Sequence, residues 1–158
     1  MSQTKHEKTL VLIKPDAVVR NILGEIISRF ERKGLKIIGL KMISLDDQAI
    51  EDHYGKYKDK PFFSGLSKFM KSTPVVAIAL DGYNAVNATR LIAGPTKGYE
   101  ADAGSIRGDF SLSTQSNIVH ASDSVESAEE ELARFFSADE LHEYAKPDFD
   151  YIYAEDER

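Results

Sequence analysis

Residues 9–16 read TLVLIKPD and residues 75–80 read VVAIAL. Each holds a short continuous apolar run, rich in β-favouring residues in the first case and reading as a central strand in the second. Pro15 and Asp16 break the first run. Between them, Ile22, Leu23, Ile26, Ile27 and Phe30 recur at helical spacing over residues 22–33, and Gly34 stops that helix. Residues 35–45 return to a strand-like pattern. Residues 47–54 and 62–71 read as short helices around the turn-like GKYKDKP. After the second run, 84–93 reads as a helix and 94–116 as a long loop rich in Gly, Ser, Thr and Asp. Such a loop inside a domain is usually functional or disordered. Ile118 and Val119 make a short strand, and residues 125–136 are a helix whose face carries Val125, Ala128, Leu132 and Phe135. The order β, α, β, short helices, β, α, loop, β, α fits an α+β fold, a split βαβ or ferredoxin-like sandwich with an antiparallel four-stranded sheet. A doubly wound parallel sheet fits less well, because strand and helix alternate too few times.

The chain of 158 residues fits a single domain, residues 1–158, with 1–7 as a loose leader and 137–158 as a C-terminal tail packing on the domain or on a neighbouring subunit. Hydrophobic residues make up 42% and charged residues 29%, which argues against wholesale disorder. With no Cys, disulfides, thiolate metal sites and Cys nucleophiles are excluded. No apolar run reaches the roughly 20 residues of a membrane helix, and MSQTKHEKT is not a secretory signal, so the cytoplasm is the expected setting. Residues 1–100 carry 16 Lys and Arg against 11 Asp and Glu, whereas residues 101–158 carry 4 against 15. Most of these charges read as solvated faces and an acidic tail; the sharper reading is a basic region that meets an anion. The acidic net charge of −6 argues against broad nucleic-acid binding.

His120 is the sharpest candidate for chemistry. It follows a short apolar strand and precedes the start of an acidic helix, where Asp123 and Glu126 have capping-box spacing and Ser124 is an alternative cap. Free N–H groups and the dipole at a helix start favour phosphate, and a neutral imidazole can attack phosphorus. Taken alone, a single histidine more often has no chemical part. Lys14, Arg90 and Arg107 could meet phosphates. No GxxxxGK[ST] loop occurs, so a nucleotide has to be held by side chains. Phe62 or Phe63 could stack on a base, with core packing as the competing reading for at least one. Tyr54 could donate to phosphate, and Asp123 could approach a Mg²⁺ shared with phosphate oxygens. His6, His53 and His142 lack metal-ligand spacing and look incidental.

Five stretches in one register carry a resemblance: TLVLIKPDAV, GEIISRFERKGLKI, HYGKYKDKPFFSGL, SIRGDF and NIVHASDSVESAEEE. Together they resemble the nucleoside diphosphate kinase family from about residue 8 to at least about residue 136. The resemblance implies a ferredoxin-like core and a ping-pong transfer from a nucleoside triphosphate to a nucleoside diphosphate, with broad base use. By position, His120 resembles the nucleophile. Lys14, Tyr54, Arg90, Thr96, Arg107 and Asn117 resemble the phosphate and sugar contacts, and Phe62 the base platform. Glu131 resembles the carboxylate that orients the histidine, and Ser122 a supporting hydroxyl. Mg²⁺ is expected to arrive with the nucleotide, and a homo-oligomer is expected, a hexamer ahead of a tetramer. Periodicity alone does not separate Glu131 from Glu129. A regulatory module on the same scaffold is the alternative function, but every member of the catalytic set is present.

The chain departs from the family pattern in places. Ala121 follows the histidine where Gly is common, which matters if the position needs positive φ. Gly98 and Ala103 stand where prolines are usual, which predicts a weakly braced loop. SLSTQS is more polar than usual, with Thr114 in place of an apolar residue at the base site. The tail KPDFDYIYAEDER carries Tyr151 where an aromatic Trp is found in hexameric members.

Overall fold

The computed structural model describes residues 5–158. Among the described residues four strands form one antiparallel sheet: β1 (His6–Ile13), β2 (Lys36–Ile43), β3 (Val75–Tyr83) and β4 (Val119–Ala121), in the order β2-β3-β1-β4. β3 lies between β1 and β2, which makes the split βαβ arrangement. His6 and Glu7, expected as part of a loose leader, are the first rungs of β1, opposite Tyr83 and Gly82. Residues 1–4 of that leader lie outside the described residues.

The apolar runs have a physical cause. Helices cover both faces of the sheet, so β1 and β3 bury successive side chains on opposite sides. Val11, Ile13, Ile78 and Leu80 pack with Phe30 and Ile26 of α2 (Leu23–Lys33), Ala85 and Ala93 of α5 (Ala85–Ala93), and Ile106 of α6 (Ile106–Phe110). Leu10, Leu12, Ala77 and Ala79 pack with Ile50 of α3 (Asp47–Tyr54), Met70 of α4 (Phe63–Met70), and Leu132 and Phe135 of α7 (Val125–Phe135). Phe30 is fully buried, and truncating it to Ala costs about 3–5 kcal/mol. Gly34 ends α2 in the left-handed conformation with φ 103°, as its place after the helix predicts.

Two short helices between β1 and β4 are additions to the expected order. α1 (Pro15–Val19) starts at the strand-breaking proline, which sits at its first turn, where its missing N–H costs nothing. α6 lies inside the stretch expected as a plain loop. Ser105 caps it, accepting from Gly108 N at 3.0 Å. The loop is also braced without prolines at positions 98 and 103. Arg29 of α2 donates to Gly104 O at 3.0 Å and pairs with Asp109 at 2.6 Å, while Asp109 accepts from Gly104 N at 2.8 Å. The chain beyond α7 lies back over the β2–β3 end. His142 N donates to Ile38 O, and the Tyr153 hydroxyl accepts from Tyr83 N at 3.1 Å, near α8 (Phe149–Ile152). Among the described residues no helix is long and apolar enough to cross a membrane.

Candidate active site

β1 and β4 lie side by side, with His120 opposite Leu12, and this pairing sets the site at their ends. Lys14 leaves β1 directly, and its backbone N–H donates to Ile118 O at 2.8 Å. Asp16 accepts from Ile118 N at 3.0 Å. Between these two bonds Ile118 sits at φ 75°, a left-handed conformation that is costly for a β-branched residue. Val119 N donates back to Asn117 O at 2.9 Å, closing a tight turn that delivers Asn117 and His120 to the same cleft. Ala121 has no positive φ. It pairs with Val11 in regular strand geometry, so the methyl group that replaces the usual glycine costs no backbone strain.

The cleft encloses about 550 Å³. Of the residues singled out from sequence, Lys14, Tyr54, Phe62, Arg90, Thr96, Arg107, Asn117, His120, Asp123 and Glu131 line it. Ser122 does not line it; fully buried, it lies behind and donates to Glu131 Oε2 at 3.3 Å. Glu131 is buried and Glu129 exposed, which separates the two carboxylates that helical spacing left open. Glu131 Oε2 lies 2.5 Å from His120 Nε2. A carboxylate at that nitrogen holds the ring proton on Nε2 and leaves the Nδ1 lone pair free.

Cationic groups are packed closely here. Lys14 Nζ donates to Asn117 Oδ1 at 2.7 Å, and Asn117 Nδ2 donates to Thr96 O at 2.9 Å. Burial, and then the charge of Arg107, push the Lys14 ammonium down to about 8. Arg107 donates to the carbonyls of Asn117, Gly94 and Val119 at 3.2, 2.7 and 2.6 Å, so it clamps the loop to β4. Burial, and then Arg90, lower it to about 10. Two of its five N–H groups remain for other partners. Arg90 pairs with Asp123 at 2.6 Å at the exposed rim. Asp123 is therefore not the helix cap that its spacing suggested; Ser124 is, accepting from Ser127 N at 3.1 Å.

His53, Tyr57 and Gln115 escaped the reading from sequence. His53, which looked incidental, is buried against His120 with ring centres 4.6 Å apart and near-perpendicular planes. Arg134 donates to His53 Nδ1 at 3.0 Å, which places the proton of the neutral ring on Nε2, an atom without a partner. Burial, and then the charge of His120, depress His53 to about 2. The usable signal was the step from Ile50 to His53, which puts both on the buried face of α3. The Tyr54 hydroxyl is buried and unpartnered, and burial, then Glu131, raise its pKa, so it stays a proton donor. Gln115 and Tyr57 also line the cleft, Tyr57 with its ring 5.6 Å from that of half-exposed Phe62.

A site that combines a carboxylate-held histidine, clustered cations and an aromatic rim can attack a phosphorus centre and neutralise the charge it carries. Comparison with known proteins leads to the same chemistry. The family model for nucleoside diphosphate kinase matches residues 7–141. The nucleoside diphosphate kinase of Pyrococcus horikoshii is 52% identical over 149 residues, covering 92% of this chain and 94% of that protein. That of Archaeoglobus fulgidus is 48% identical, covering 94% and 99%. Among solved structures, a halophilic nucleoside diphosphate kinase from Halobacterium salinarum in complex with CDP superposes with a TM-score of 0.91 at 38% identity, covering 94% of this chain and 99% of that one.

Proposed function

The chain belongs to the nucleoside diphosphate kinase family, whose enzymes transfer phosphate between nucleotides, and on that premise we propose that the transfer runs in two halves through His120. In the first half, Nδ1 of His120 attacks the terminal phosphorus of a nucleoside triphosphate, and the diphosphate leaves. In the second, a different nucleoside diphosphate takes the phosphoryl group back from Nδ1. The observation that carries this reading is the Nε2 contact with Glu131 at 2.5 Å. It leaves Nδ1 as the free nitrogen and supplies a counter-charge for the imidazolium formed on transfer.

The other residues take roles that their settings support. Lys14, with its ammonium charged at neutral pH, and the remaining N–H groups of Arg107 neutralise phosphoryl oxygens. The Tyr54 hydroxyl, held as a donor, finds its partner there. Asn117 and Thr96 hold the sugar end, and Ser122 keeps Glu131 in place. Arg90 exchanges Asp123 for a phosphate oxygen. Phe62 offers an exposed face that stacks on any base, which suits broad base use. A single rim carboxylate, Asp123, is too few ligands to hold Mg²⁺ alone but fits a Mg²⁺ carried mainly by the phosphates. When bound, that ion would neutralise phosphate charge.

The chain forms one unit over residues 1–158 in this reading and assembles as a homo-oligomer, a hexamer ahead of a tetramer. Exposed Leu40 and Met42 on edge strand β2 support assembly. The test of the transfer is direct. After incubation with γ-labelled ATP and removal of nucleotide, wild-type protein is expected to carry acid-labile label that added diphosphates remove, and His120→Ala is expected to carry none. Label on the variant sinks the assignment; label that cannot be passed on favours a regulatory module.

A further inference from the structure

We propose that His53, His120 and Glu131 form an inhibitory site for a nitrogen-preferring divalent ion such as Zn²⁺, distinct from the Mg²⁺ expected with the nucleotide. One ligand atom from each residue lies within 4.8 Å of the others, and His53 and Glu131 are buried. Two imidazoles and one carboxylate with an open fourth position are a set that Zn²⁺ accepts, whereas Mg²⁺ prefers oxygen ligands. Ligand atoms around a tetrahedral Zn²⁺ stand about 3.3 Å apart, so small side-chain rotations close the site. The second observation is His53 Nε2 itself. It is a polar atom with no partner, on a side chain 8% exposed, against the ring of His120. A buried polar atom left unpaired is costly, and a ligand relieves that cost.

Occupation requires a rearrangement at His53. Arg134 donates to His53 Nδ1, so the ring proton sits on Nε2. For Nε2 to bind a metal, that proton must move to Nδ1 and the Arg134 bond must open, which the exposed Arg134 can do. Lys14, Lys56 and Arg134 add positive charge around the site, with Glu131 supplying the negative charge among the three ligands. Removing Arg134 therefore strengthens binding by freeing the tautomer and reducing repulsion. On the reading that His120 is the phosphoacceptor, the bound ion blocks phosphorylation whichever nitrogen it takes. On Nδ1 it consumes the attacking lone pair; on Nε2 it moves the ring proton to Nδ1.

The test uses nucleotide-free full-length protein. Zn²⁺ affinity is measured by competition with a chromophoric chelator, and Co²⁺ by its visible absorption bands. One equivalent is expected to bind. His53→Gln is expected to weaken binding by more than the roughly 10–100-fold that loss of a merely supporting partner costs. Arg134→Ala is expected to tighten it. Equal affinity in wild type and His53→Gln, or no stoichiometric binding, overturns the site. If His53→Gln does not fold, unchanged or weaker binding by Arg134→Ala overturns it alone. Zn²⁺ is also expected to protect His120 from labelled ATP, with protection reversed by chelator. Failure of metal-free protein to take label counts against the phosphoacceptor, and leaves the metal titration to be judged separately.

Discussion

His120 is oriented by one short contact, so the carboxylate of Glu131 is where a small change has a large kinetic effect. Glu131→Gln keeps the shape and removes the charge. Losing a charge-assisted hydrogen bond of about 1.5–3 kcal/mol slows phosphorylation of the enzyme by roughly 10–100-fold. Rapid-quench measurement of the first half-reaction checks this, and an unchanged rate would show that Glu131 only packs. Lys14 makes the opposite trade between function and stability. Its pKa falls from 10.5 unfolded to about 8 folded, so between those values the unfolded chain holds a proton that the folded one lacks. Stability therefore rises with pH across that window, and below pH 8 the buried charge costs about 3 kcal/mol. Lys14→Met is expected to raise the Tm at pH 7, less what Asn117 loses with its donor, while abolishing transfer. A lower Tm contradicts this account. At this scale much was legible. Lys14, Arg107 and His120 stood out by type and place, whereas helical spacing left Glu131 and Glu129 open; the family resemblance chose Glu131, and the side of α7 that faces the sheet agrees.

The α3–α7 contact and the loop before β4 show how elements hold the site. His53 on α3 and Arg134 on α7 meet behind His120. Because the folded pKa of His53 lies near 2 and the unfolded value near 6.5, its contribution is complete above pH 6.5 and is lost as pH falls. His53→Gln is thus expected to flatten the decline of stability from pH 6.5 to 4, measured by urea unfolding. An unchanged slope would mean that other groups set it. The loop between α5 and β4 lacks the usual prolines, yet restoring one would harm it. A Cβ at Gly98 would stand 2.4 Å from both the backbone oxygen and Oγ of Ser111, and Gly98 N donates to Ser113 O, a bond proline cannot make. Gly98→Pro is expected to lower the Tm. Stabilisation by the single change contradicts the clash. Strands and long helices were legible because their apolar periods are regular. α6 was not, because five residues among Gly, Ser and Asp leave too short a period to see. Its Arg29 tether is a long-range fact, and only its Ser105 cap, three residues from Gly108, is local.

Across the whole molecule, the sheet order follows from the order of elements, but the covering of both faces does not. Ile50, Met70 and Leu132 are far apart in sequence and meet only once α3, α4 and α7 share one side of the sheet. The tail illustrates the same limit. It was expected to pack on the domain or on a neighbouring subunit; the Tyr153 hydroxyl meets Tyr83 N of the domain, while Tyr151 points out at 93% exposure. Such outward apolar groups, with Leu40 and Met42, fit the proposed assembly. Sedimentation equilibrium is expected to give six chains of 17.6 kDa each, and a monomer at micromolar concentration would contradict it. What the molecule does, however, turns on one atom. With protein carrying ¹⁵N-labelled histidine, phosphorylated by ATP, the ³¹P signal is expected to couple to Nδ1 of His120 and to vanish in His120→Ala. Coupling to Nε2, or a phosphoryl signal that survives the substitution, would contradict the account.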